Sequence, residues 1–154
     1  MVEIASQADV AWNDELWIGP IGTGVTVTAW TQILGVEEVA MPEKTPDDID
    51  VTHMQSPGRS RETIPGLLSV ADFSQELQFW DGHASQELLD DLAALTEAGT
   101  PEYIRVEMRV GTIRRTYRGY VETFNPQGSV GDKRMATLTM KLFERVTPNP
   151  RVVA

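Results

Sequence analysis

The chain has 154 residues, enough for one domain with a core of its own and short of two comfortable ones. Its 41% hydrophobic and 23% charged content reads as globular rather than disordered, and no stretch reads as a signal peptide or a membrane-spanning run, so the expectation is a soluble protein made in the cytoplasm. The absence of cysteine removes disulfides, thiolate nucleophiles and cysteine metal sites, and a net charge of −10 disfavours a grip on nucleic-acid phosphates.

That charge is unevenly placed. Residues 1–100 carry 18 acidic side chains against 3 basic ones, whereas residues 101–154 carry 5 against 10. Faces of opposite sign favour association between like molecules, although a generally solubilising acidic surface explains the acidic part as simply.

Residues 1–14 lack periodicity and read as an arm, ahead of a domain over residues 15–147 that opens with a short strand from Glu15 to Ile18. Turn residues follow at Gly19 to Gly24; they lack the strand–glycine–helix context of a dinucleotide site. Residues 25–36 alternate and are β-branched, which predicts a strand with both faces partly covered.

Residues 47–68 then read as two extended arms joined by a polar tip, Gln55-Ser56-Pro57-Gly58-Arg59-Ser60. With few large apolar groups, such a hairpin either moves freely in solvent or is ordered by another chain.

From Leu68 to Trp80 alternation resumes, with Phe73, Gln75, Leu77 and Phe79 on one side and Ser74, Glu76, Gln78 and Trp80 on the other. Ser85 is suited to cap a helix over residues 85–98. Its apolar stripe is Leu88, Leu92 and Leu95, flanked by Leu89 and Ala93, and its stop is Gly99 before Pro101.

The remainder is β. Ile104, Val106, Met108 and Val110 alternate with Tyr103, Arg105, Glu107 and Arg109, so one face is expected to be buried and the other charged. Gly111-Thr112 turns the chain into residues 113–124, and residues 134–146 close the sheet before a tail at 148–154. The fold class is therefore mainly β: an antiparallel β-sandwich or small barrel with one flanking α-helix and a long protruding hairpin.

No catalytic or metal constellation emerges. His53 and His83 stand far apart without ligand partners, and Ser56 and Ser60 have no activating base in sequence. Adjacent acidic pairs point to opposite faces in a strand. The set Arg105, Arg109, Arg114, Arg115 and Arg118, with Tyr103, Tyr117 and Tyr120, is the pattern of a nucleic-acid patch. Glu107 and Glu122 interrupt it, and salt bridges between subunits account for the arginines equally well.

The hairpin DVT…SPGR…RETIPGL, a strand, one helix and a close of RGYVETFNPQG…RMATLTMKLFERVTP together resemble the major tail tube protein of long, flexible-tailed bacteriophages. The likeness covers nearly the whole chain after Trp17, and its specific pieces are Thr52 with Glu62 to Leu67, Arg105 to Met108, Arg118 to Val121 and the alternating last strand.

The resemblance implies a structural virion protein with no enzymatic role, cofactor, metal or membrane partner, assembled in the host cytoplasm. Its hexameric rings join inner sheets into one barrel and stack into a tube around the tape measure protein, through which the genome later passes without specific binding. Tail terminator and distal tail proteins are the implied further partners.

The same resemblance makes the hairpin the element that meets neighbouring copies, with Asp50, Thr52, His53, Arg59, Arg61, Glu62 and Ile64 as contact candidates. Glu37, Glu38, Asp72, Glu76 and Glu122 are the acidic candidates for the lumen. By its length the chain is expected to lack an extra immunoglobulin-like decoration domain. Alternatives are a single-ring terminator or adaptor, a secretion-type tube protein and a small-molecule-binding β-barrel, the last disfavoured by inward positions filled with Leu, Ile, Val and Met.

Overall fold

The computed structural model describes residues 5–21 and 26–146. The first four residues of the expected arm, residues 22–25 and residues 147–154, which include the expected tail, lie outside the described residues.

The chain runs β1 (Glu15–Pro20), β2 (Thr31–Gln32), β3 (Pro46–Asp50), β4 (Thr63–Leu68), β5 (Ala71–Gln78), α1 (Ala84–Glu97), β6 (Ile104–Val110), β7 (Ile113–Gln127) and β8 (Met135–Arg145). Six strands form one antiparallel sheet in the order β2-β1-β6-β7-β8-β5, and β3 pairs with β4 as a separate hairpin.

The two edges of the larger sheet meet. Past β2, Ile33 N–H donates to Leu16 O at 2.8 Å, then Val36 bridges to Leu77 on the outer edge of β5 and Gln78 N–H donates to Gly35 O at 2.8 Å. One short segment therefore touches both edges, and the sheet closes on itself in barrel fashion. This is why the strand expected over residues 25–36 shrinks to Thr31–Gln32. Gly35, at φ +85°, turns the chain from one edge to the other rather than letting it run on along β1.

Alternation in β5 and β8 is as the sequence indicates: Ala71, Phe73, Gln75 and Leu77 face inward, opposite Ala136, Leu138, Met140 and Leu142. Leu16, Ile18, Ile104, Val106, Met108 and Val121 complete the sheet's share of the core. Gln75 is the polar exception; its amide donates to the carbonyls of Glu38 and Glu76, which satisfies it.

The helix begins one residue earlier than expected and is capped by His83, whose Nδ1 accepts from Ser85 N–H at 3.3 Å; Ser85 itself is buried. Of the expected stripe, Leu92 is buried together with the flanking Leu89, but Leu88 and Leu95 are only partly covered and Gln86 is buried instead. The helix turned because Gln86 is needed inside, donating to Gln78 O and accepting from Trp80 N–H. At the other end Gly99, at φ +85°, gives a Schellman close, with Gly99 N–H to Thr96 O and Thr100 N–H to Leu95 O, both 3.0 Å.

Glu107 corrects the expectation of a charged outer face. It is fully buried, in the middle of the sheet between Trp17 on β1 and Thr116 on β7.

Candidate assembly surfaces

The hairpin β3–β4 belongs to a sheet of its own, tied at its base by Lys44, whose ammonium donates to Phe143 O on β8. Ile49 and Ile64 face each other across it, and Asp50 opposes Thr63. Isolated two-stranded hairpins are marginal in water. This one is pinned by its own polar groups, a route to order beside the free motion or ordering by another chain that composition suggests. Thr52 Oγ accepts from Glu62 N–H at 2.8 Å, Val51 N–H donates to Glu62 O at 3.0 Å, and Ser56 Oγ donates to Glu62 Oε2 at 2.9 Å while accepting from His53 N–H at 2.9 Å. Arg61 reaches Asp50 at 3.1 Å. Hydrogen bonds from Thr52, then the Arg61 guanidinium, hold Asp50 below the usual carboxylate range.

Six of the seven expected contact residues thus join in one local network or pair across it: Asp50 with Thr52 and Arg61, Glu62 with Thr52 and His53, and Ile64 with Ile49. Arg59 stands apart in the left-handed region at φ 54°, without an anionic partner among the described residues. His53, Ser56 and Glu62 are the residue types of a hydrolytic triad, but the serine hydroxyl donates to the carboxylate and His53 Nε2 lies 3.7 Å from that same carboxylate. No imidazole nitrogen is hydrogen-bonded to the hydroxyl, so the serine–histidine step of a triad is absent from the cluster, which holds the turn in shape.

Sequence reasoning passed over the apolar side of this element. Ile49, Val51, Ile64, Leu67, Leu68 and Val70 are all substantially exposed, Leu67 at 85%, and are strung as a ribbon in sequence along the two arms of the hairpin up to the start of β5. The run TIPGLLSV was the available signal. The arm adds Val10 and Trp12, also exposed.

Two of the five arginines are tied down by carboxylates of the same chain. On the outer face Arg109 opposes Arg114 and Arg105 opposes Arg118, with Glu107 in the row between. Arg109 pairs with Glu15 at 3.8 Å; Arg118 holds Glu144 through two hydrogen bonds of 2.7 and 3.1 Å and lies over the rings of Phe143 and Tyr103. Bonding to Glu144 raises the Arg118 pKa and lowers that of Glu144. These pairs lie within one chain and account for Arg109 and Arg118, whereas Arg105, Arg114 and Arg115 have no anionic partner among the described residues.

The acidic candidates fall into two groups. Glu37, Glu38 and Glu76 converge on a groove of about 430 Å³ beside β5, and Lys133 and Gln78 hydrogen-bond Glu37, lowering its pKa. Asp72 and Glu122 share Lys141, whose pKa the Asp72 contact raises. Glu38 and Glu76 have no cation paired to them among the described residues. No group of three or more His, Cys, Asp or Glu suited to a metal occurs among the described residues.

A family model described as lambda phage tail tube protein, TTP, matches residues 17–147. No curated protein matches the sequence. Among solved structures, the chain is similar to a component of the six-fold symmetrised baseplate of the anti-feeding prophage (TM-score 0.65, 7% identity, 92% of this chain and 96% of that one). It is similar to the tail of an empty gene transfer agent particle refined with C6 symmetry (0.59, 17%, 84% and 91%) and to the tail tube of SPP1 (0.58, 10%, 86% and 74%). Likeness at these identities is likeness of fold.

Proposed function

The chain belongs to the lambda phage tail tube protein family, and on that footing we propose that its copies join into hexameric rings that stack into the tail tube of a virion. The role is structural. The tape measure protein fills the tube during assembly, DNA passes later, and terminator and distal tail proteins meet its ends. The observation that carries the reading is the exposed apolar ribbon on a hairpin that already holds its own shape.

Fully burying a side chain of the Ile or Leu class is worth roughly 1.5–3 kcal/mol, so a half-exposed ribbon gains less per residue but offers several residues at once. A pre-shaped hairpin loses little conformational entropy on docking, and a ring repeats the contact in every subunit. Residues Asp50, Thr52, His53, Arg59, Arg61, Glu62 and Ile64 are the contact set, and the exposed row of β5 with Glu37, Glu38 and Glu122 is the candidate lumen wall. The baseplate component in its fold class keeps a second reading in view, a single-ring adaptor.

Negative-stain microscopy of the purified protein at rising concentration separates the two: filaments of uniform width support the tube, and discs that never lengthen support the adaptor. Leu67→Lys, on a side chain already in solvent, leaves the monomer folded and abolishes filaments; filaments formed as readily as by the parent chain would refute the role of the ribbon.

A further inference from the structure

A groove of about 670 Å³ opens between the N-terminal arm and the segment that follows β2. Val36, Val39 and Val110 give it an apolar lining, and Trp12 forms a wall with 81% of its surface in solvent. Asp14 and Glu38 also line it, with no cation paired to either among the described residues. A groove that is apolar within and acidic at its margin suits an occupant that is apolar and basic at once.

The hairpin tip has that character. Met54 is 95% exposed, Arg59 lacks an anionic partner among the described residues, and the sequence between His53 and Arg61 contains no acidic residue. Arg59 is held at φ 54°, a conformation a non-glycine residue adopts at some cost and one that at functional surfaces often aims a side chain outward. Tip and groove are both unfilled within one chain.

We propose that this groove receives the Met54 and Arg59 side chains of a second copy, with the methionine against the valines and the guanidinium beside Glu38. The inference rests on the reading that the hairpin packs on neighbouring copies, and adds where it lands. It also assigns Glu38 to an interface and takes it off the lumen wall.

Because the chain has no cysteine, Met54→Cys and Val39→Cys introduce the only thiols. Assembled and then oxidised, the double variant gives a ladder of covalently linked copies on a non-reducing denaturing gel, and neither single variant gives even a linked dimer. A linked dimer from one single variant, or no ladder from the double variant while deletion of residues 53–63 still abolishes assembly, overturns the groove and leaves the hairpin reading intact. Assembly unharmed by that deletion overturns both.

Should the thiol variant itself not assemble, charge exchange decides. Arg59→Glu and Glu38→Arg each raise the critical concentration roughly tenfold, and the two together in one chain recover assembly. Single variants that assemble normally, or a double variant that recovers nothing, overturn the proposal.

Discussion

At the scale of single residues, two glycines show how differently the same added methyl acts. A Cβ at Gly19 would meet the ring of Trp30 at 2.5 Å, whereas one at Gly119 would sit 2.0 Å from the carbonyl oxygen of Lys141. A half-buried indole can swing away; backbone in the middle of the β7–β8 pairing cannot. Gly119→Ala is therefore expected to destabilise by about 1–3 kcal/mol or more, and Gly19→Ala by less, as read from denaturant midpoints. Equal losses would contradict the assignment of β7 and β8 as tightly packed neighbours. Asp50 gives a test through pH. Its folded pKa is depressed, so the stability it lends the tip is full above its unfolded value and is lost as pH falls through the lower folded one. Thr52 N–H donates to its carboxylate at 2.9 Å, and this amide resonance should titrate with a midpoint below the ordinary aspartate value. A midpoint at or above that value would mean the pin is absent in solution.

At the scale of elements, what the sequence made legible were strands whose two faces have different surroundings. β5, β6 and β8 were readable because period-two alternation is imposed by a core on one side. Residues 25–36 alternate just as well in sequence, yet residues 31–36 cross from one sheet edge to the other, and nothing local encodes that β5 waits at the far side. The helix stripe rotated for a similar reason: Gln86 is polar by composition but is drawn inside by two backbone groups left unpaired where β5 ends. The hairpin's shape depended on Thr52, Ser56 and Glu62 meeting across ten residues, which composition does not reveal. Closure of the barrel gives the prediction at this scale. Gly35 sits at φ +85°, and a Cβ there would lie 2.8 Å from Gln78 O. Gly35→Ala should strip the crossing segment from β5 and leave that strand's outer edge unpaired, an invitation to irregular aggregation. Light scattering of the variant would rise without ordered filaments, and a variant that stays monodisperse and assembles normally would show that the crossing does not guard the edge.

At the scale of the whole molecule, a net charge of −10 does not say how negative any one wall is, because lysines are set against particular carboxylates. Lys141 lies beside both Asp72 and Glu122, and Lys133 beside Glu37, which leaves Glu76 as the exposed acid on β5 with no cation at hand among the described residues. Screening at physiological salt confines a fixed charge's influence to about 8 Å, so a duplex moving down a tube feels the wall residue by residue and not the protein's total. If β5 lines the lumen, Glu76→Lys places a cation on every subunit where a phosphate passes and slows DNA release from particles built of the variant. Lys141→Gln frees two carboxylates from their neutralising partner and leaves release as fast or faster. Both side chains lie on the outer surface of the sheet, so tube length and width by microscopy should match the parent. Particles with intact tubes in which Glu76→Lys and Lys141→Gln shift release equally, or in neither direction, would place β5 away from the passing genome.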